Sequence, residues 1–376
     1  MARVLILGGG FGGVVAAESL VEQLGDGHQI TLVSRNSQFL FFPALVRLAF
    51  GKCEPDDVSF DLRRTMLNRR VNFIEGEVAR IDLAGRKIIL AHGEVEGSLP
   101  YDYLIYALGR RLATERVTGF FENGHHLLDL DGALRFGEAI RNFDGGHVVI
   151  GQCPDARLPV PVYETAFALS RWLEENGEPA STSITIVSPS TIRSEFDDDK
   201  MAATLSQALE RRSMKHLSGF PIARISPGSI SSSDGRDLNY NLLMLLPPFC
   251  GPSAASRLGI TDDDDYIKVD WTMKVLGADR MYAVGDCVNL AGPKLAHMAV
   301  NQAEVAAANL AAEIAGHGPV THYQHDLQTV IESDGKSIYF HKDFWSDDPA
   351  SVRVASGAGQ NGCMKSIGRL LTHRPC

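Results

Sequence analysis

Residues 3–18 read RVLILGGGFGGVVAAE, and this stretch decides the fold. Its apolar run at residues 4–7 is too short for a helix and indicates a buried parallel strand. The glycines that follow fit the spacing Gly-x-Gly-x-x-Gly at Gly8, Gly10 and Gly13. In that pattern Gly8 permits a tight turn, Gly10 lets the backbone approach a pyrophosphate, and Gly13 allows close packing of helix on strand. The stretch therefore predicts the strand, turn and helix of a dinucleotide site.

The residues after the glycines support this prediction. An alanine-rich helix is expected from about Phe11, and its first N–H groups point at the turn, where phosphate charge meets the positive end of the helix. A second apolar strand at residues 29–33 ends about 20 residues further on, as the fingerprint requires. A glycine-rich loop without these neighbours would be only a weak signal.

The second strand ends in Ser34, Arg35 and Asn36, where an Asp or Glu usually accepts a hydrogen bond from a ribose hydroxyl. Ser34 and Asn36 can make a neutral version of that contact. Arg35 can meet a phosphate or remain solvated. This ending weakens the case for NAD as the ligand of the first site and leaves FAD open.

Composition and charge narrow the class of protein. A length of 376 residues suggests about two or three domains, and a 44% hydrophobic content is enough for a large core. The net charge of −10 argues against a nucleic-acid partner, which needs a basic surface. No apolar run approaches the ~20 residues that span a bilayer, and neither a membrane span nor an N-terminal signal peptide is predicted.

Cysteine and histidine spacing gives no recognisable metal site. The six cysteines lie far apart without a CxxC pair, and the histidines after Gly316 are scattered without ligand spacing. Widely spaced cysteines suit a reducing compartment, so a cytoplasmic protein is predicted. The basic tail at residues 365–371 is a candidate for peripheral contact with a membrane surface, although a docked terminal helix has the same pattern.

A second α/β unit is predicted to begin with a strand at residues 145–151. It has no second or third glycine, and Pro154, Pro159 and Pro161 remove N–H groups that a phosphate loop would use. A helix is expected from Glu164. This unit is therefore predicted to lack a pyrophosphate cradle.

The chain then returns to the first domain. A strand at residues 281–285 ends in Asp286, and an alanine-rich helix is predicted at residues 298–314. A carboxylate at a strand end that faces a helix N-terminus can accept hydrogen bonds from the ribityl hydroxyls of a flavin. A helix-capping aspartate is the alternative.

The order of these motifs resembles that of the FAD-dependent pyridine nucleotide-disulfide oxidoreductase superfamily. The resemblance covers about residues 1–345 and rests on the glycine fingerprint, on Ala107-Leu108-Gly109 in place of the usual Ala-Thr-Gly, and on Val284-Gly285-Asp286. Within the superfamily the chain is most similar to the group of sulfide:quinone oxidoreductase, flavocytochrome c sulfide dehydrogenase and type II NADH dehydrogenase. Phe42-Pro43, the run at residues 161–164 and Gly292-Pro293-Lys294 resemble the sulfide-oxidising branch.

The resemblance implies an α/β fold with two Rossmann-like three-layer domains. The FAD-binding domain is discontinuous and comprises residues 1–110 and 240–315. A second Rossmann-like domain with a degraded dinucleotide loop comprises residues 111–239, and a short C-terminal region comprises residues 316–376.

The resemblance also implies which residues act. Residues at strand ends and neighbouring turns would bind FAD: Gly8, Gly10, Phe11, Gly13, Ser34, Arg35, Asn36, Pro43, Val78, Ala107, Gly109, Asp286 and Lys294. Val78 would hold the adenine, and Pro43 would form part of a wall against the isoalloxazine. Lys294 would lie near the flavin N1/C2 edge, where positive charge stabilises the anionic reduced flavin. Glu164 matches a glutamate that relays protons to quinone, or it is an ordinary first-turn helix glutamate.

The sequence lacks the residues at which each usual electron donor of the group reacts. Leu158 and Val330 stand where the sulfide-oxidising branch has its cysteine pair, although a shifted pair that uses Cys153, Cys250 or Cys363 is left open. Type II NADH dehydrogenases need an intact second glycine loop. Disulfide reductases need a CxxxxC pair in the first domain, and only Cys53 lies near the place of that pair.

The predicted activity is therefore an FAD-dependent oxidoreductase that passes electrons from a small-molecule reductant, with a sulfur species as one candidate, to a quinone-like acceptor. One alternative is an NAD(P)H:quinone or other acceptor oxidoreductase with a modified second site. Another is a flavin-binding regulatory protein with little turnover. NADH, NADPH and sulfide are all expected to be poor donors, and the oligomeric state is left open.

Overall fold

The structure is a computed structural model, and it describes residues 1–94, 97–177, 182–333, 336–344 and 352–358. These residues form two compact units. The first unit comprises Met1–Leu40, Ser59–Arg111 and Cys250–His325. The second comprises Phe41–Val58, Leu112–Phe249 and the described residues from Asp326 onward. Cys363 and the basic tail segment lie outside the described residues.

The helices and strands follow in chain order. The helices are α1 (Phe11–Leu24), α2 (Leu45–Ala49), α3 (Leu62–Asn68), α4 (Phe120–Asn123), α5 (Leu130–Arg141), α6 (Val160–Asn176), α7 (Ile192–Phe196), α8 (Asp199–Arg211) and α9 (Ala296–Ile314). The strands are β1 (Arg3–Leu7), β2 (Gln29–Ser34), β3 (Gln38–Leu40), β4 (Ser59–Asp61), β5 (Asn72–Asp82), β6 (Lys87–Gly93), β7 (Ser98–Pro100), β8 (Tyr103–Tyr106), β9 (Arg111–Leu112), β10 (His147–Gln152), β11 (Ser183–Val187), β12 (Lys215–Leu217), β13 (Ile222–Ser226), β14 (Ser229–Ser232), β15 (Asp237–Asn239), β16 (Leu242–Leu246), β17 (Phe249–Cys250), β18 (Met281–Ala283), β19 (Asp326–Ser333), β20 (Lys336–Asp343) and β21 (Arg353–Ala358).

The first unit is built on a seven-stranded sheet with the order β18-β8-β1-β2-β5-β6-β7. Strands β18, β8, β1, β2 and β5 are parallel, whereas β6 and β7 add antiparallel pairs at one edge. Ile6 and Leu7 are fully buried in β1, as expected for a strand covered on both faces. The carboxyl ends of the parallel strands therefore meet at one edge of this sheet.

Helix α1 covers the carboxyl end of β1 at very short range. A Cβ atom on Gly13 would lie 1.8 Å from the carbonyl oxygen of Gly8, and one on Gly12 would lie 3.0 Å from the Val284 side chain. The helix also packs against α9, which is rich in buried alanines. Small residues thus bring the N-terminus of α1 directly over the end of β1.

The second unit contains a parallel sheet with the order β12-β11-β10-β16. Helix α6 connects β10 to β11, and α8 precedes β12. An apolar core that includes Val149, Val187 and Leu243 lies between this sheet and the antiparallel strands β13–β15. A further antiparallel sheet, β19-β20-β21, packs against α6 through β19.

The predicted fold class is confirmed, and several elements differ from the sequence-based expectation in detail. Helix α6 begins at Val160 and not at Glu164, because proline is tolerated in the first turn, where N–H groups have no partner within the helix. The units differ from the predicted domains because residues 41–58 and the strands after His325 group with the second unit, where α2 packs on α5 and α6. In the part of the chain that the structure describes, no helix is long and apolar enough to cross a membrane.

Candidate functional site

The carboxyl edge of the first sheet brings together residues that lie far apart in the sequence. Gly8 follows β1, Ser34 ends β2, Ala107 follows β8 and Gly285 follows the short strand β18. In open α/β sheets, ligands bind in the crevice outside these carboxyl ends. The edge is therefore the candidate site of the first unit.

The glycine turn at this edge is open to an anion. Gly8 has a φ of +109° and its N–H donates to the Val33 carbonyl at 2.7 Å. Gly10 caps α1 without a side-chain hydrogen bond, and a Cβ atom there would meet nothing within 4 Å. Because the first N–H groups of a helix have no intrahelical partner, this end of α1 presents donors to open space.

The end of β2 places Ser34 beside the glycine turn. Ser34 is buried, and a Cβ atom on Gly9 would lie 2.6 Å from its hydroxyl oxygen, whereas Arg35 and Asn36 follow the strand. Val78 lies in β5, three residues beyond Glu75, which pairs with Ser34. The predicted adenosine-side residues thus lie at the end of β2 and within the neighbouring strand β5.

Asp286 is the middle residue of the 3-10 turn Gly285–Cys287. Its side chain forms an ion pair with Arg110. The two side chains are 18% and 15% exposed, so the pair is largely withdrawn from water. The Gly285 N–H donates to the side-chain oxygen of Gln302 at 2.7 Å. The sequence prediction missed Arg110 and Gln302. A basic residue directly after Gly109 was the available signal for the first, and nothing local indicated the second.

Lys294 is buried in the same unit, with 6% of its surface exposed. Its ammonium group donates to the Val288 carbonyl and lies 4.7 Å from the centroid of the Tyr266 ring. It lines a small pocket together with Asp286 and His325. Burial raises the pKa of Cys287 to about 12, and the positive charge of Lys294 partly offsets this increase.

Pro43 and Glu164 belong to the second unit, unlike the other predicted site residues. Pro43 is exposed in the 3-10 turn Phe42–Ala44 that leads into α2. Glu164 lies in the second turn of α6, not in its first. Burial raises the pKa of Glu164 to about 8, and the negative charge of Glu332 on β19 adds to the increase.

Comparison with known proteins finds relatives by sequence and by fold. The model of the pyridine nucleotide-disulphide oxidoreductase family matches residues 2–154. The solved sulfide:quinone oxidoreductase from Aquifex aeolicus superposes with a TM-score of 0.91 at 20% identity, covering 99% of this chain and 91% of that one. The chain is thus similar to the pyridine nucleotide-disulphide oxidoreductases, by sequence in residues 2–154 and by fold over nearly its whole length. The predicted family, enzyme class and FAD cofactor are thereby confirmed.

Two relatives found by sequence are also named as quinone reductases, and their identity to this chain is low. The sulfide-quinone reductase of Aquifex aeolicus is 25% identical over 266 residues, which cover 68% of this chain and 61% of that protein. The type II NADH:quinone oxidoreductase of Haemophilus influenzae is 24% identical over 333 residues, covering 77% of this chain and 74% of that protein. This chain therefore spans less than two thirds of the length of the first of these relatives.

The residues of the first unit fit FAD. The open N-terminus of α1 suits a diphosphate, Asp286 offers a carboxylate to sugar hydroxyls, and Lys294 offers a buried cation. When bound, FAD supplies the two-electron chemistry that protein side chains lack. The oxidoreductase itself supplies binding, orientation and charge.

The described cysteines of the oxidoreductase are poor candidates for sulfur chemistry. Cys153, Cys250 and Cys287 are buried, and Cys53 is partly buried. Burial raises the pKa of Cys153 well above its ordinary value. A buried, protonated thiol is a weak nucleophile. The prediction that a shifted cysteine pair uses Cys153 or Cys250 thus gains no support, and Cys363 lies outside the described residues.

Substitutions of Gly10 and Gly13 should fail for different reasons. Gly10→Val puts a side chain into the open space at the start of α1, so we expect the variant to keep its fold and lose bound FAD. Gly13→Ala forces a Cβ atom against the Gly8 carbonyl, so we expect a loss of about 2 kcal/mol or more in the free energy of unfolding. Urea unfolding and the flavin content of the purified protein separate the two effects. Full flavin content in Gly10→Val would contradict the assignment of the turn.

Proposed function

We propose that the protein passes electrons from a small-molecule reductant through FAD to a quinone-like acceptor. The observation that carries the proposal is what the names of the relatives share. One relative is named for sulfide and another for NADH, but both are named for quinone. The acceptor is therefore the part of the activity that we transfer to this chain, and the donor is not.

The proposed roles of the first unit follow from its geometry. Gly8, Gly10, Phe11 and Gly13 would hold the diphosphate at the start of α1. Ser34, Arg35, Asn36 and Val78 would serve the adenosine, and Ala107 and Gly109 would line the sheet edge. Asp286, fixed by Arg110, would accept from the ribityl hydroxyls, and Lys294 would supply positive charge at the flavin ring.

The proposed roles of the second unit are a ring contact for Pro43 and a proton relay for Glu164. Reduction of a quinone to a quinol consumes two protons with its two electrons. A carboxyl group whose pKa is raised to about 8 holds a proton at neutral pH and can donate it to a developing quinolate. A pKa this close to neutral pH supports Glu164 as the general acid.

The second unit offers little to a nicotinamide dinucleotide. Strand β10 runs into Gln152, Cys153 and Pro154, and α6 has a proline in its first turn. The remaining glycine, Gly151, leaves room for the neighbouring strand, because its Cβ atom would lie 2.3 Å from the Val187 carbonyl. The likeness to the NADH relative keeps an NAD(P)H:acceptor oxidoreductase as the second candidate. A regulatory flavoprotein is the third.

We also propose peripheral membrane contact, because quinones with long apolar tails partition into bilayers. The proposed contact is the basic tail segment, which lies outside the described residues. Deletion of that segment should weaken sedimentation of the protein with anionic vesicles while flavin content stays the same.

The two half-reactions test the proposed function separately. Photoreduced protein mixed anaerobically with a short-chain quinone should reoxidise rapidly, because the acceptor step needs no natural donor. Oxidised protein mixed with NADH, NADPH or sulfide in turn should bleach slowly or not at all. Stopped-flow absorbance of the flavin measures both steps. Slow reoxidation by quinone would favour the regulatory protein, and rapid bleaching by NADH would favour the second candidate.

Lys294→Met should lower the reduction potential of the bound flavin by roughly 30 mV or more, because the reduced anion loses a buried cation. FAD binding should remain. The exposed Lys268→Met provides a matched control that we expect to leave the potential unchanged. Spectroelectrochemical titration gives the potentials, and equal values for both variants would remove Lys294 from the flavin ring.

Glu164→Gln should change the pH dependence of stability. The folded protein keeps the Glu164 proton up to about pH 8, whereas the unfolded chain releases it near the ordinary pKa of 4.5. The free energy of unfolding therefore falls as pH rises between these values, and the variant should lose that contribution. Glu332→Gln removes a like charge and so lowers the pKa of Glu164 in the folded protein. The decrease in the free energy of unfolding should then end at a lower pH. Urea unfolding of the FAD-loaded protein measures this, and identical profiles for all three proteins would contradict the raised pKa.

A further inference from the structure

A carboxylate lies at the carboxyl edge of the second parallel sheet. Gln152 is the last residue of β10, and Ser188 directly follows β11. Helix α7 carries Glu195 to both of these strand ends. The Gln152 side-chain amide donates to Glu195 Oε1 at 2.9 Å, and the Ser188 hydroxyl donates to the same oxygen.

A third donor comes from helix α6. The Tyr163 hydroxyl donates to Glu195 Oε2 at 2.6 Å. Gln152, Tyr163 and Ser188 are buried, and Glu195 is partly exposed. We call these four residues the Glu195 cluster. Among the residues that the structure describes, Glu195 makes no ion pair, so side-chain hydrogen bonds alone compensate its charge.

These positions are the ones that a dinucleotide would use. In a Rossmann-like unit the diphosphate lies at the end of the first strand and the start of the following helix, and the ribose lies at the end of the second strand. Here the end of β10, the start of α6 and the end of β11 each direct a side-chain donor to Glu195. The carboxylate thus satisfies donors that would otherwise face a bound anion.

Helix α7 is held in this position from its other side. Phe196 packs against Tyr163 and against Phe340 of β20, with 5.9 Å between ring centroids in each pair. Lys342 of β20 donates to the backbone and side chain of Asp197 at 2.5 Å. Withdrawal of Glu195 from the strand ends would break these contacts as well as its own hydrogen bonds.

We propose that Glu195 is a specificity-determining residue that excludes NADH and NADPH from the second unit. Its side chain fills the crevice, and its negative charge repels a diphosphate. The proposal rests on the proposed function in one respect, because Glu195 explains why NADH and NADPH are poor electron donors. Loss of the carboxylate would leave the donors of Gln152 and Tyr163 free, whereas the Ser188 hydroxyl also has the Ser190 carbonyl as an acceptor at 2.8 Å. Gln152 Oε1 is already a buried acceptor without a described partner.

Binding of ADP-ribose and NADH to the oxidised, FAD-loaded protein tests this role without turnover. Isothermal titration should show no saturable binding to the unsubstituted protein. Glu195→Ala should bind ADP-ribose at least ten times more tightly, because both the volume and the charge are removed. Glu195→Gln removes the charge alone and should show a smaller gain, which keeps the test valid should the alanine variant fail to fold. The exposed Glu210→Ala is the matched control and should behave as the unsubstituted protein.

Two results would overturn the proposal. One is a folded Glu195 variant, alanine or glutamine, with no gain in affinity for ADP-ribose. The other is protection from hydrogen exchange at residues 152–163 and 188–196 when NADH is added to the unsubstituted protein. Reoxidation of the photoreduced flavin by quinone is a separate readout. If quinone does not reoxidise the flavin but the Glu195 variants bind ADP-ribose more tightly, the proposed function is rejected. Glu195 then remains the residue that excludes the dinucleotide.

Discussion

A Cβ atom on Gly13 would lie 1.8 Å from the carbonyl oxygen of Gly8, so α1 lies against the turn after β1 as closely as backbone atoms allow. This contact sets the position of the helix N-terminus over the sheet edge. The neighbouring strand ends then place Ser34 and Asp286 around the same opening. Since the N-cap residue Gly10 has no side chain, the unit presents positive helix charge where an anionic cofactor is needed.

Both units contain a parallel sheet of Rossmann-like order, and they treat the ends of its strands in opposite ways. In the first unit Gly10 leaves the helix N-terminus open, and the cation of Arg110 accompanies the carboxylate of Asp286. In the second unit the corresponding edge is closed by Glu195, whose bonds come from the protein itself. A Rossmann-like fold therefore does not by itself imply a dinucleotide, because binding depends on a few residues at the sheet edge.

Much of the first unit could be predicted from sequence, because its signals are local. The glycine spacing and the strand before it indicated the turn, and the alanine-rich run after Asp286 indicated α9. The prediction missed the strands β19–β21, although residues 326–333 alternate between buried and partly exposed positions in the way that a half-covered strand does.

The Glu195 cluster had no local signal of any kind. Gln152 and Glu195 are separated by 43 positions, and Glu195 appears in the sequence as an ordinary helix glutamate. Arg110 and Asp286 are 176 positions apart and pair only after β8 and β18 have aligned in the sheet. Such contacts depend on tertiary packing, which neither periodicity nor composition reports.

The central claim is that one unit retains a dinucleotide site and the other has replaced it with its own side chains. Native mass spectrometry of the protein in excess FAD and NADH measures this most directly, because it counts bound dinucleotides on each chain. The account predicts one FAD per chain and no second dinucleotide. A chain that carries FAD together with NADH, or a chain that retains no FAD, would contradict it.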